Sequence, residues 1–168
     1  LTPSLRGLAL VAGGVLSVIA LIQGLRPPVV ENCKVYLSGL PDEMNGTVIV
    51  CMSDLHLGSL IGKRWLEARV NQVQAQQPDV VVLLGDILEG HGLRQEELIP
   101  VFRRLSAPLG VWAVLGNHEF YGRNNTSTSL LDDAGTKVLR NSWVEARLGF
   151  VLAGIYDRSG IRSADQDG

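Results

Sequence analysis

The apolar positions of the chain are grouped into runs with two different periods. Three continuous apolar runs rich in valine, at 48–52, 80–84 and 111–115, are each bounded by turn residues, which is typical of strands in a parallel sheet covered on both faces. Between them, residues 63–76 and 98–105 place apolar side chains at helical spacing and predict amphipathic helices. Strands joined by helical connections are parallel, so the pattern predicts a β-α-β-α-β core.

Shorter segments flank this core. Residues 33–37 alternate in polarity and predict a half-exposed strand. A short helix is expected at 127–134, where Gly135 ends it. Three further strands are predicted at 137–139, 143–146 and 150–154.

The N-terminal region has a different character. Residues 7–25 carry no charge and lie between Arg6 and Arg26. Nineteen residues span about 28 Å as a helix, close to the roughly 30 Å of a hydrocarbon core. A transmembrane helix is the preferred interpretation, with a signal peptide or a buried soluble helix as alternatives. An arginine at each end leaves the orientation open. The expected division is a membrane helix with a proline-rich exit at 1–30 and a domain at 31–168.

Charge and cysteine content restrict the picture only slightly. The 168 residues carry a net charge of −2, which gives no reason to expect a nucleic-acid partner. Cys33 and Cys51 could pair with each other. Because Cys51 lies in a predicted buried strand, we expect it instead to be a free, apolar thiol.

Polar side chains that can bind a metal follow each of the predicted core strands. They are Asp54 and His56 after the first, Asp86 after the second, and Asn117 and His118 after the third. The carboxyl ends of such strands form the edge at which ligands bind in open α/β sheets. If their segment is extended, Asp54 and His56 point to the same side. Gly85 and Gly116 allow sharp turns and a close approach to a ligand. Oxygen and nitrogen donors without a thiolate suit Mn, Fe or Zn.

Each of these residues also has an ordinary structural explanation. An aspartate at a strand end is often a turn former, and a single histidine is more often a satisfied core or surface residue. His91, between two glycines, is expected to be solvent-exposed, and Glu89 and Glu119 are expected to support the loops rather than to bind metal. The joint occurrence of ligand-type residues at three equivalent turns nevertheless favours a metal site.

The three segments Asp54-x-His56, Gly85-Asp86 and Gly116-Asn117-His118-Glu119, about thirty residues apart, resemble the calcineurin-like metallophosphoesterases over residues 46–157. The apolar helix followed by Ser-Asp-Leu-His-Leu-Gly is similar to the membrane-associated branch of that family. The resemblance implies an α/β/β/α sandwich with two divalent metal ions. It implies that Asp54 and His56 hold the first metal, that Asp86 bridges, and that Asn117 binds the second. Asp86 and His118 are then the catalytic residues, His118 as proton donor, and Asn117 and His118 contact the substrate.

The sequence also departs from the family pattern. Members supply a further histidine and a Gly-His-x-His segment downstream, whereas the histidines here are His56, His91 and His118. We therefore expect the chain to be the N-terminal half of such a domain, with a shortened inactive protein as the alternative. In either case the 168-residue chain should bind the second metal weakly and turn over little substrate. It should also expose an apolar sheet face.

The favoured function is a membrane-anchored, metal-dependent phosphoesterase. It would use a metal-activated hydroxide to hydrolyse a phosphomonoester, phosphodiester or pyrophosphate on a small-molecule or lipid-linked substrate. A non-catalytic scaffold of the same fold is the main alternative. A nucleotide-binding doubly wound domain is a third, although the glycine-rich loop that such domains place after their first strand is missing.

Overall fold

The computed structural model describes residues 2–58, 61–89, 95–120 and 126–155, and the statements below refer to these. The chain divides into two compact units, Leu1–Val35 and Tyr36–Gly168, which are described separately. The boundary between the units lies five residues after residue 30, where the sequence predicts a division of the chain. The division into a membrane helix and a domain stays a prediction.

The first unit consists of one long helix and an irregular segment. Helix α1, Pro3–Gly24, has a mean hydropathy of 2.2 over its most apolar window, and none of its residues is buried. Pro3 lies in the first turn, where a missing backbone N–H costs nothing. The strand predicted at 33–37 is wrong: this segment is irregular and exposed. Its alternating side chains favour a strand, but no strand among the described residues pairs with its backbone.

The second unit is built on a four-stranded parallel sheet, which confirms the expected α/β class. The strands are β1 Ile49–Met52, β2 Val80–Leu84, β3 Val111–Val114 and β4 Lys137–Val138, and they lie in the order β1-β2-β3-β4. All neighbouring strands are parallel. Their carboxyl ends therefore lie along one edge, and the loops that follow β1, β2 and β3 are neighbours there.

Helices cover one face of this sheet. Helix α2, Lys63–Gln74, and helix α4, Thr126–Asp133, agree with the predicted positions. Helix α3, Ile99–Phe102, is much shorter than predicted and follows a 3₁₀ turn at Gln95–Glu97. Proline fits only the first turn of an α-helix, so Pro100 prevents a regular helix from starting further upstream. The apolar stripe is nonetheless buried: Leu98, Val101, Phe102 and Leu105 all lie in the core.

An antiparallel hairpin covers part of the other face. Strands β5, Ser142–Arg147, and β6, Phe150–Gly154, pair with a register shift near Glu145. Phe150 packs with Val80 and Trp112 in a second apolar cluster. The described residues therefore form three successive layers, helices, parallel sheet and hairpin, of the α/β/β/α arrangement.

Strand β1 differs from the prediction because it is not buried on both faces. Ile49 is 43% exposed and Cys51 is also exposed. The second apolar cluster is built on β2, β3 and the hairpin, so it leaves the edge strand β1 open on that side. Cys51 is a free thiol as expected, but the expectation that it is buried was wrong. Partial desolvation by its neighbours still raises the pKa of the Cys51 thiol.

Candidate metal centre

The turns after β2 and β3 are in direct contact because two glycines lie where they meet. A Cβ on Gly85 would lie 2.5 Å from the backbone nitrogen of Gly116, and one on Gly116 would collide with the carboxylate of Asp86. Gly85 also has a φ of +90°, a conformation that side chains disfavour. The His118 backbone N–H donates to Oδ1 of Asp86 at 3.0 Å. Because Gly85 and Gly116 have no side chain, the two turns can approach closely enough for the His118 backbone to hold the carboxylate of Asp86.

Glu119 joins the same two turns through its carboxylate. Oε1 accepts hydrogen bonds from the backbone N–H groups of Ile87 at 2.6 Å and Leu88 at 3.1 Å. Oε2 accepts from the N–H groups of Asp86 at 3.0 Å and Gly116 at 2.8 Å. Glu119 is 6% exposed, so these bonds form away from water, where a carboxylate without donors would be very unfavourable.

The sequence predicted that Glu119 supports the loops but did not indicate this four-donor arrangement. The sequence neighbours of Glu119 do indicate a supporting role. Glu119 directly follows the ligand-type segment and precedes the apolar Phe120, in a loop that must return to the core. An acidic residue in such a place is well suited to collect the unpaired N–H groups of neighbouring turns.

The Asp-x-His segment after β1 is not extended, contrary to expectation. Asp54 and His56 both have positive φ values, of 55° and 44°. The segment instead follows the neighbouring turn, since the N–H of Asp54 donates to the Gly85 carbonyl at 3.2 Å and that of His56 to the Asp86 carbonyl at 3.0 Å. The two side chains still meet, with Oδ1 of Asp54 3.8 Å from Nε2 of His56.

Positive φ values are concentrated at this site. Asp54, His56 and Asp86, with φ of 55°, 44° and 52°, are three of the five non-glycine residues for which the described backbone has this conformation. Such a conformation costs about 1–2 kcal/mol for most residues, although aspartate tolerates it better. Strain that the surrounding hydrogen bonds maintain is common where side chains must be aimed at a ligand.

Three of the predicted site residues come together. His56, Asp86 and His118 each offer one ligand atom, these atoms all lie within 4.8 Å of one another, and all three residues are partly buried. The rings of His56 and His118 meet edge to face with centroids 4.6 Å apart. We refer to these three residues as the strand-end cluster.

The other two predicted ligands are less closely involved. Among the described acids and histidines, Asp54 lies outside the 4.8 Å group, and its side chain is 66% exposed and bonded to the Ser53 hydroxyl. Asn117 is half-buried on the same turn as His118. His91, expected to be exposed, lies outside the described residues.

The composition of the strand-end cluster fits a divalent metal ion. The imidazole of His56 and the carboxylate of Asp86 are N/O donors of the kind that Mn, Fe and Zn accept, and the ring of His118 lies beside them. Asp86 is held at its backbone by Glu119 and at Oδ1 by His118, which are the supporting contacts that metal ligands usually have. The residues present therefore fit a divalent metal ion.

A comparison with protein families decides what kind of domain this is. The family model for calcineurin-like phosphoesterases matches residues 47–160, which include every member of the strand-end cluster. The chain belongs to this family. Its mixed α/β fold with a parallel sheet is the metallophosphoesterase fold that the sequence predicted. Members of the family bind divalent metals, which agrees with the donor set of the cluster.

Individual relatives support the same assignment. A "Transmembrane protein with metallophosphoesterase domain" from Danio rerio is 32% identical over 80% of this chain and 31% of its own length. A protein with the same description from Bos taurus is 35% identical over 68% of the chain and 26% of its own length. An "Uncharacterized metallophosphoesterase" from Aquifex aeolicus is 36% identical over 79% of the chain and 51% of its own length.

The coverage of these metallophosphoesterases is partial. The chain spans about a quarter to a half of the length of these three relatives. No solved structure gives a significant match. The third alternative, a nucleotide-binding doubly wound domain, is not retained, because residues 47–160 match the calcineurin-like phosphoesterase family.

Proposed function

We propose that this chain forms part of a metal-dependent phosphoesterase and that the strand-end cluster lies at its active site. The observation that carries the proposal is the convergence of His56, Asp86 and His118 within 4.8 Å, at the carboxyl edge of a metallophosphoesterase sheet. The positive φ values of His56 and Asp86 support it, because strained backbone at a ligand-type residue is most easily explained by function.

The proposed division of roles follows the family resemblance. Asp54 and His56 would hold one divalent metal, Asp86 would bridge, and Asn117 would bind the second, with Mn, Fe or Zn as the candidates. When bound, such ions supply Lewis acidity toward a phosphoryl oxygen and lower the pKa of water. A ring nitrogen of His118 lies within 4.8 Å of the possible ligand atoms of His56 and Asp86, which supports a role for this ring in the same reaction.

The protein's own groups would then orient and protonate the substrate. His118 would donate a ring proton to the departing oxygen, and the side chain of Asn117 on the same turn would contact a phosphoryl oxygen. Asp86 keeps its orientation because its Oδ1 accepts the His118 backbone N–H. Movement of the turn would therefore displace the bridging carboxylate and the proton donor together.

Membrane attachment is the second part of the proposal. Helix α1 is 22 residues long and entirely exposed, with a mean hydropathy of 2.2 over its most apolar window. Two relatives are named as transmembrane proteins. A signal sequence near the N-terminus has the same length and composition and is the alternative. An enzyme anchored in this way would have access to lipid-linked phosphates as well as to soluble ones.

Hydrolysis of bis-p-nitrophenyl phosphate by the full-length protein with Mn²⁺ tests the catalytic proposal. We expect activity in the wild type and a loss of at least about a hundredfold in Asp86→Asn, since a metal ligand and its charge are removed. A matched control is Asp42→Asn, which removes an exposed carboxylate from a surface turn. Equal activity in wild type and Asp86→Asn would contradict the proposal and favour the scaffold alternative.

Carbonate extraction of membranes tests the anchoring proposal. We expect the wild-type protein to stay in the membrane fraction, and a charge in the middle of α1, Leu16→Arg, to weaken its retention. Release of the wild-type protein by carbonate would contradict membrane integration. Removal of residues of α1 during secretion would instead identify a signal sequence.

A further inference from the structure

Glu89 lies beside His56 because the pairing of the first two strands continues past their ends. The N–H of Leu57 donates to the Ile87 carbonyl at 2.9 Å, and the N–H of Glu89 donates to the Leu57 carbonyl at 3.0 Å. These bonds form an isolated parallel bridge between Leu57 and Leu88. The backbone of Glu89 is thereby fixed next to the Asp-x-His segment.

The two nitrogens of the His56 ring face different groups. Nδ1 is 3.2 Å from Oε1 of Glu89, whereas Nε2 is 3.8 Å from Oδ1 of Asp54. Nδ1 is buried and makes no hydrogen bond of acceptable geometry, although the Glu89 oxygen is within reach. Among the described residues, the imidazole of His118 and the carboxylate of Asp86 also lie close to the ring.

We propose that Glu89 is a positioning residue that holds His56 in the neutral tautomer with its hydrogen on Nδ1. A neutral imidazole carries one hydrogen, so a carboxylate acceptor at Nδ1 leaves the lone pair on Nε2. Only an imidazole nitrogen with a free lone pair can bind a metal. The terminal torsion of a glutamate carboxylate is soft, so turning Oε1 toward the Nδ1 hydrogen has a low energetic cost.

This inference rests on the proposed metal site, but its structural part can be tested without a metal. The side chain of Glu89 is 48% exposed, so its removal should leave the fold intact. Loss of a carboxylate that orients a metal-binding histidine weakens metal affinity by about 10- to 100-fold. Because Glu89 is half exposed, we expect the lower limit, about tenfold.

The test compares the wild-type chain with Glu89→Ala, and with Glu96→Ala as a control that removes an exposed glutamate from the next element. Nitrogen-15 NMR of the metal-free chain at pH 8 reports which nitrogen of His56 carries the hydrogen, with the signals assigned by their loss in His56→Gln. Calorimetry with Mn²⁺ then measures affinity. Tryptophan fluorescence during thermal unfolding shows whether each variant is folded.

We expect His56 to carry its hydrogen on Nδ1 in the wild type and in Glu96→Ala. In Glu89→Ala the hydrogen should shift toward Nε2, and Mn²⁺ affinity should fall about tenfold with an unchanged unfolding temperature. A wild-type hydrogen on Nε2, or a tautomer unaffected by Glu89→Ala, would overturn the proposal. If Glu89→Ala is unfolded, Glu89→Leu, which also lacks an acceptor, replaces it, and an unchanged tautomer would overturn the proposal.

Absence of Mn²⁺ binding by the wild-type chain would contradict the proposed metal site instead. The tautomer measurement would still decide whether Glu89 orients His56. The two failures are therefore distinguishable.

Discussion

Replacement of Glu119 by glutamine should strongly destabilise the domain, even though the two side chains have nearly the same shape. Each carboxylate oxygen of Glu119 accepts two backbone N–H groups, Oε1 those of Ile87 and Leu88 and Oε2 those of Asp86 and Gly116. In glutamine only one of the two corresponding atoms is an oxygen that can accept hydrogen bonds. Its NH₂ group would face the remaining two N–H donors, so one pair of bonds is lost whichever way the amide is turned.

The magnitude follows from the number and type of these bonds. A hydrogen bond to a charged group contributes about 1.5–3 kcal/mol, and a buried N–H without a partner costs about 1–3 kcal/mol. Two lost bonds therefore give about 3–6 kcal/mol, which is at the upper end for a single substitution. Glu119 is 6% exposed, so water cannot easily replace the lost acceptor.

Urea denaturation of the purified chain in mild detergent measures this loss through tryptophan fluorescence. Trp112, 6% exposed in the second apolar cluster, reports on the folded core. The control Glu96→Gln makes the same chemical change at an exposed position and should lower the free energy of unfolding by less than about 0.5 kcal/mol. A loss below about 1 kcal/mol in Glu119→Gln would refute the argument that this carboxylate joins the two turns.

Three further outcomes are expected. Gly116→Ala should weaken Mn²⁺ binding at least about tenfold, because the new Cβ collides with Asp86; calorimetry checks this, and unchanged affinity would contradict the packing. Cys51 should react with iodoacetamide at pH 8 more slowly than Cys33, because the raised pKa of the Cys51 thiol leaves less thiolate at that pH. Mass spectrometry measures both rates, and faster labelling of Cys51 would contradict this prediction. The chain should associate with increasing concentration through its open edge strand, and Ile49→Lys should reduce this in sedimentation; a monomeric wild type would refute it.

The elements that sequence predicted well are those whose pattern is decided locally. The apolar runs before Asp54, Asp86 and Asn117 form β1, β2 and β3, and the stripe of α2 packs on the sheet as its spacing indicates. Turn residues and apolar period suffice for such segments, because the same side chains that favour the element are those that its core position requires.

The errors arise where a distant part of the chain decides. In the part of the chain that the structure describes, residues 33–37 have no partner strand, and Cys51 is exposed because the hairpin does not extend over β1. Neither fact is contained in the local sequence. The shortened α3 is the exception, because Pro100 is a local signal for it. The apolar spacing of residues 98–105 instead predicted a longer helix.

The site shows the same distinction. The residue types at the strand ends indicated that Asp86 and His118 would approach one another, since parallel strands share an edge. The left-handed backbone at Asp54 and His56 could not be inferred, because it depends on hydrogen bonds to the neighbouring turn. The supporting contacts of Glu89 and Glu119 likewise depend on which N–H groups and ring atoms the fold brings beside them.

Calorimetric titration of the 168-residue chain with Mn²⁺, beside its Asp86→Asn variant, tests the proposed metal centre most directly. We expect one equivalent to bind more tightly than a second, because the histidines of this chain are only His56, His91 and His118, and Asp86→Asn to abolish the tighter event. No binding by the wild-type chain, or binding that Asp86→Asn leaves unchanged, would contradict a metal centre at the strand ends, and two tight equivalents would contradict the expected weak second site.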